Sequence, residues 1–414
     1  FVIELGRPSD PPVLMVHGIG DRAALDWGVL AAHLAGRHRV MLFDLPGFGD
    51  SSRANELYSP DNYVAFIEHL VDTHFERPLS LVGHSMGGAI SLRYAGENPD
   101  DLERLVLVDV AGIMHRHAFG EHMMRMGISE IPALDKIAGG AVEWIAQSVA
   151  RPFFSKEPNP ALLFELAGVR RKVLGGDPEK IAGLMLMLTD FGETIDGVRT
   201  PPLLVWGQDD RIAPVRTGRL LQDRIPGAVL EVLPRCGHVP MTDQPARLLE
   251  LVGTWLAASP RPHPGPPAPA AEVTSTRVRR IEGQGELDLR DAEYLRVELE
   301  RCRGRVQGLR AGSVILRGCD VELDGCVIGE AEVGLTLEHS QVTVTGGSIR
   351  GVDAVSMEAS QLDLAGTTLR GQLSAVRAAE ETQVLFSVCN VHSPLRPDRV
   401  RVHGMLTASP RRSI

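Results

Sequence analysis

The chain has 414 residues, enough for two or three domains with cores of their own, and 53 acidic against 43 basic side chains give a formal charge of −10. That balance excludes a dedicated nucleic-acid binder, which needs a basic surface, and 43% hydrophobic with 23% charged residues excludes a disordered chain. No apolar run reaches the roughly 20 residues of a membrane-spanning helix, and five cysteines, without a Cys-x-x-Cys pair or a histidine at zinc-ligand spacing, exclude a disulfide scaffold and give no reason to expect a metal.

Residues 1–20 do not read as a basic-then-apolar leader. The first residue is Phe1 rather than Met, so a removed export signal is an expectation that leans toward a periplasmic or secreted protein, with the compartment otherwise undecided. Only residues 1–5 precede the first loop, which makes the amino-terminal strand pair short and leaves open an upstream strand. Short, nearly continuous apolar runs follow at 13–16, 40–43, 79–82, 105–108 and 203–206. Strands buried on both faces of a parallel sheet read this way, whereas half-exposed strands alternate. Helical stretches lie between them at 63–75 and 88–98. The pattern predicts an α/β fold, a doubly wound and mostly parallel sheet, over residues 1–258. Residues from about 113 to 199 break the rhythm with helix-like segments and no clear strand, and are expected to form an inserted helical cap.

Six prolines in the eleven residues 259–269 can form neither a helix nor a central strand, so 259–271 reads as an extended linker. Of the 19 Phe, Trp and Tyr residues only Tyr294 and Phe386 follow it. Residues 272–414 repeat instead. Val314-Ile-Leu-Arg-Gly-Cys319, Leu335-Thr-Leu-Glu-His-Ser340 and Val355-Ser-Met-Glu-Ala-Ser360 are spaced by 21 and 20, as are the segments beginning at Val321, Val342 and Leu362. Weaker copies begin at Val297 and near Val384. One such unit cannot bury its apolar face alone, so the units must stack, and a right-handed parallel β-helix of about five turns is predicted. Leucine-rich repeats have a similar length, but their fixed Asn/Cys position is missing. Arg317, Glu338 and Glu358 occupy equivalent positions and predict a surface charge ladder, while Cys302, Cys319, Ser340 and Ser360 predict a stacked corner. Glu322, Asp324 and Asp363 read as a solvated face rather than a calcium site. A scaffold, an oligomerisation surface or attachment to a surface or polymer is the expected role of this part.

The chemistry lies in the first part. Gly83-His84-Ser85-Met86-Gly87 follows a buried strand and precedes a helix, the setting of a nucleophile elbow. Ser85 needs a base, and His238 stands out in Cys236-Gly-His-Val-Pro240, a loop after the apolar run 229–233. For the acid that orients the base, Asp210 is favoured, with Asp209 beside it and Asp109 at the end of the 105–108 run as alternatives. The amide of Met86 and that of Ile19, in His17-Gly18-Ile19-Gly20, are the expected oxyanion donors. His17, Gly18, His84, Met124, Phe153 and Val239 are candidates for substrate contact. Between 113 and 199 lie six of the twelve Met and five Phe, which either line an acyl pocket over Ser85 or form the core of the cap.

With His17-Gly18, Asp44-Leu-Pro-Gly-Phe-Gly49-Asp-Ser51, Gly83-His-Ser-Met-Gly87, Gly207-Gln-Asp-Asp210 and Gly237-His238-Val-Pro240 assembled, residues 1–258 resemble the α/β-hydrolase superfamily, in its capped serine esterase, lipase and carbon–carbon hydrolase branch. In that family the fourth residue of the Gly-x-x-Asp motif is the acid, which supports Asp210. A serine at position 85 speaks against haloalkane dehalogenases and epoxide hydrolases, whose nucleophile is an aspartate. The resemblance implies two-step acyl transfer on a small-molecule or lipid ester, without a cofactor. Its alternatives are carbon–carbon bond hydrolysis by the same three residues, and a surface binding protein in which the repeat part carries the main role. That repeat part resembles the pectate-lyase-like parallel β-helices.

Overall fold

The structure, a computed structural model, describes residues 1–20, 22–114, 164–259, 273–283, 286–329, 331–379, 381–394, 396–408 and 412–413. The described residues up to 259 form one unit and those from 273 a second.

In the first unit the apolar runs become strands β1 (Val2–Leu5), β2 (Pro12–Val16), β3 (Arg39–Phe43), β4 (Leu79–His84), β5 (Leu102–Val108), β6 (Pro202–Gly207) and β7 (Val229–Leu233). They lie in the order β1-β3-β2-β4-β5-β6-β7. All pairs are parallel except β1 on β3, where Val2 opposes Phe43, so the sheet is mixed, with one antiparallel edge strand. The central strands β4 and β6 are buried at every position, which is why they carry no polar alternation.

Helices α1 (Ala23–Leu34), α2 (Pro60–His74) and α3 (Ser85–Glu97) connect the first five strands. Helix α2 starts where Ser59 accepts the amide of Asn62 and Pro60 supplies a preset φ. Helices α4 (Ala167–Leu174), α5 (Pro178–Leu188) and α6 (Gly192–Gly197) precede β6. α7 (Val215–Arg224), the single turn α8 (Pro240–Asp243) and α9 (Pro245–Ala257) complete the unit. On one face of the sheet Val13, Met15, Val82, Val106 and Val205 pack with Trp27 of α1 and with Leu248 and Val252 of α9. In the segment expected to form the cap, helices α4, α5 and α6 lie between residues 164 and 199, and Phe164, Met185 and Phe191 are buried there. Residues 115–163, with Met124 and Phe153, lie outside the described residues. Among the described residues no helix is long and apolar enough to cross a membrane.

In the second unit two columns of parallel strands alternate along the chain. One runs β8 (Val278–Glu282), β10 (Glu293–Glu300), β12 (Arg310–Arg317), then β14 (Val327–Ile328) and β15 (Val333–Glu338), β17 (Ser348–Glu358) and β19 (Thr368–Ala378). The other runs β9 (Glu286–Arg290), β11 (Arg303–Gln307), β13 (Asp320–Asp324), β16 (Gln341–Thr345), β18 (Gln361–Ala365) and β20 (Thr382–Ser393). Strands β21 (Arg396–Ala408) and β22 (Arg412–Ser413) pair antiparallel with β20 and β19.

The register is the repeat seen in the sequence. Val297 opposes Val314, then Leu335, Val355 and Val376. Val306 opposes Leu323, Val344, Leu364 and Phe386 in the second column. All ten are buried, so each rung covers the apolar face of the one before. This is the connectivity of a coil of parallel strands.

The corner residues form a ladder. The amide of Cys302 donates to Cys319 Sγ at 3.4 Å, that of Cys319 to Ser340 Oγ at 3.1 Å, and that of Ser340 to Ser360 Oγ at 3.0 Å. At the residue before each corner the chain turns left-handed, at Arg301, Gly318, His339 and Ala359. The turn withdraws the next amide from the strand ladder, and the small polar side chain of the following rung accepts it. The thiols are free and buried, as expected of corner fillers. Outside, Arg317 Nε meets Glu338 Oε2 at 2.9 Å, an exposed pair worth little by itself.

Candidate active site

Strand β4 ends at His84 and helix α3 begins at Ser85, with no residue between them. Ser85 therefore takes a left-handed φ of +52°, a conformation an L residue holds only when its surroundings impose it. The imposing contacts are mostly backbone. A Cβ on Gly83 would stand 2.4 Å from Ser91 Oγ and 2.5 Å from the carbonyl oxygen of Gly87, and one on Gly87 2.3 Å from that of His17. Only glycine lets α3 approach β2 so closely. Met86, the second residue of α3, has an amide without an intrahelical acceptor, at the positive end of the helix.

Three distant segments meet at Ser85. His238, on the loop between β7 and α8, places Nε2 2.8 Å from Ser85 Oγ, and its Nδ1 lies 2.8 Å from Asp210 Oδ2. The other oxygen of Asp210 accepts the amides of Ile212 (2.8 Å) and Ala213 (2.9 Å), which fixes the carboxylate plane. A carboxylate facing Nδ1 keeps the proton there, so Nε2 is left to accept the serine hydroxyl. Asp209 is exposed, and its amide binds the carbonyl of Cys236. Asp109 is wholly buried and accepts the amide of Gly207 at 2.9 Å.

The remaining expected contacts divide. Ile19 and Val239 are more than a third exposed. His17, Gly18 and His84, expected against the substrate, are instead buried with their polar groups engaged. His17 Nε2 accepts the amide of Leu45 at 2.9 Å, so Nδ1 carries the proton and donates to the carbonyl of Gly18 at 2.7 Å. Burial pushes the His17 pKa down, in keeping with a neutral ring. The amide of Gly18 donates to Asp26 Oδ2 at 3.1 Å, so it is not available to an oxyanion, whereas Ile19 follows on the exposed side of the same loop.

His84 sits between Asp26 Oδ2 (3.2 Å) and the carbonyl oxygen of His238 (2.8 Å). Burial opposes the charge on Asp26, but the hydrogen bond and charge of His84, with the amide of Gly18, hold its carboxyl below the usual range. Asp26 and His84 thus tie the loop of Ile19, the elbow and the loop of His238 together. Asp26 carried no signal in the sequence, since an acid in the first turns of a helix is ordinary. Cys236, also buried here, has its thiol pushed up to about 12, first by burial. Among the described residues no group of three or more His, Cys, Asp or Glu could hold a metal ion.

A seven-stranded sheet of this order, with a serine on a strained strand-to-helix turn, defines a class, and the sequence profile of the alpha/beta hydrolase family matches residues 13–251. The chain belongs to that family. Over 253 residues it is 26% identical to the 2-hydroxy-6-oxo-2,4-heptadienoate hydrolase of Pseudomonas putida, covering 60% of this chain and 89% of that one. It is 31% identical over 245 residues to the pimeloyl-[acyl-carrier protein] methyl ester esterase of Chromobacterium violaceum, covering 58% and 91%. Among solved structures, a thermophilic esterase from Thermogutta terrifontis shares 25% identity at a TM-score of 0.43 and covers 62% and 92%.

Proposed function

We propose that the first unit is a serine hydrolase that cleaves carboxylic esters through an acyl-enzyme. The observation that carries this reading is the continuous array Ser85 Oγ–His238 Nε2 and His238 Nδ1–Asp210 Oδ2, both at 2.8 Å. In the first step Ser85 Oγ attacks the ester carbonyl carbon as His238 Nε2 takes its proton. The imidazolium so formed is held by Asp210, and the carbonyl oxygen, now an anion, is received by the amides of Ile19 and Met86. Each such donor is worth about 3–4 kcal/mol in the barrier. His238 then hands the proton to the departing alkoxide, and water, deprotonated by the same nitrogen, releases the acid. No step requires a cofactor.

Lipophilic substrates are favoured by two apolar side chains exposed beside the array, Ile19 and Val239. The similarity to a methyl ester esterase supports the ester reading, and the similarity to a heptadienoate hydrolase supports the second one, carbon–carbon bond cleavage by the same residues. We take the coil of the second unit to be right-handed and pectate-lyase-like, right-handedness being usual for crossovers between parallel strands. Its proposed role is as a scaffold or attachment surface.

The test is turnover of a p-nitrophenyl ester series graded by acyl length, beside a vinylogous 1,5-diketone. Ester turnover rising with acyl length, and lost in Ser85→Ala, is the expected result. Undiminished turnover in Ser85→Ala would reject the nucleophile, and turnover of the diketone alone would move the assignment to carbon–carbon hydrolysis.

A further inference from the structure

Beside the array lies a second buried acid that the acyl-transfer steps do not use. Asp109 is 0% exposed at the end of β5, with φ +44°, and one of its oxygens is spent on the amide of Gly207. The other, Oδ2, is enclosed and has no hydrogen-bond partner among the described residues. Asp210 is its neighbouring carboxylate, Asp243 on α8 and the Cys236 thiol on the preceding loop add no positive charge, and the imidazole beside the pair, His238, is taken by Asp210. Two enclosed carboxylates side by side cannot both ionise. Asp210 receives N–H donors from Ile212, Ala213 and His238, whereas Asp109 receives one, from Gly207, so the charge belongs on Asp210 and the proton on Asp109.

We propose that Asp109 is a positioning residue, a neutral carboxylic acid whose Oδ2–H donates to the Asp210 carboxylate and fixes both its orientation and its basicity toward His238. The assignment rests on the reading of Asp210 as the acid of the array. A proton on Oδ2 converts the orphaned oxygen into a donor and removes the repulsion between the pair. Burial first, and then the charge of Asp210, push the Asp109 carboxyl well above the usual carboxylate range, in agreement with that placement. The left-handed backbone suits Asp or Asn better than most residues, and the side chain it carries meets the Gly207 amide.

The proposal separates Asp109→Asn from Asp109→Gly. Asparagine presents a carbonyl to Gly207 and an N–H to Asp210, reproducing the neutral acid, while glycine accepts the positive φ without strain and removes the donor. On a p-nitrophenyl ester, Asp109→Asn should keep kcat within a few-fold. Asp109→Gly should lower kcat by about tenfold to a hundredfold with KM little changed, the loss expected for one buried hydrogen bond to a charged group. In Asp109→Gly the acid limb of kcat/KM should also move to higher pH, because an Asp210 without its donor holds the imidazolium more tightly. The activity-independent readout is infrared: wild type minus Asp109→Asn at neutral pH should show the C=O stretch of a protonated carboxyl. An Asn variant as damaged as the Gly variant, a Gly variant unchanged in both kcat and acid limb, or no protonated-carboxyl band would each overturn the proposal. If Ser85→Ala and Asp210→Asn leave turnover intact, the array itself fails, and the infrared band still decides where the proton lies.

Discussion

Asp209 and Asp210 are neighbours of one type, yet only one has its carboxylate enclosed, aligned by two amides and set on His238. Asp210→Asn is expected to lower kcat by about 10³–10⁴-fold, because an amide there stabilises the wrong tautomer of the imidazole. Asp209→Asn, at an exposed position, should stay within a few-fold of wild type in the same ester assay, and the reverse ranking would move the acid. The buried Asp109 gives a stability prediction with a definite sign. Its carboxyl titrates higher in the folded chain than in the unfolded one, so folding takes up a proton between those two values, and stability declines as pH rises through that window. Asparagine has no such cost. Asp109→Asn should therefore melt above wild type at pH 7–8, and the gap should close toward about pH 4, where the unfolded acid is also protonated.

At the scale of elements, the elbow and the corner ladder both place side chains by forcing backbone into left-handed turns. Gly87→Ala should abolish ester turnover and lower Tm, since the added methyl would stand 2.3–2.5 Å from the carbonyl oxygens of His17 and Val16 and force α3 away from β2. In the coil, Ser340 accepts the amide of Cys319 while its hydroxyl reaches the carbonyl of Glu338 at 2.8 Å. Ser340→Ala strands a buried amide and should cost about 1–3 kcal/mol in a denaturant melt. Ser340→Cys should cost less, because a thiol serves the same amide one rung earlier, at Cys319. The repeat made these corners legible, since equal spacing put Cys and Ser at one position of each unit. The motif Asp44 to Ser51 was legible only as a pattern. Its reason is that Asp44 accepts the amides of Ala23 and Asp50, and a Cβ on Gly49 would overlap its carboxylate.

At the scale of the whole molecule, the residues of the array all come from the first 240 positions, while the coil supplies none of them. Removing residues 260–414 should leave ester turnover largely intact, measured beside circular dichroism and Tm to show that the fragment is folded. A folded but inactive fragment would mean that the coil shapes the site. The sequence by itself determined the alternation of strands and helices and the repeat register, and it marked Ser85 and His238 as candidates, because these are local matters: apolar period, turn chemistry, and a motif read within a few residues. That Asp210, already the favoured candidate, is the acid facing His238, the engagement of His17, Gly18 and His84 beneath the surface, and the contacts of Asp26 were decided only in the tertiary structure. Each depends on which groups from distant segments share one enclosed space, and the burial and hydrogen bonding that set a carboxylate's charge are properties of that space.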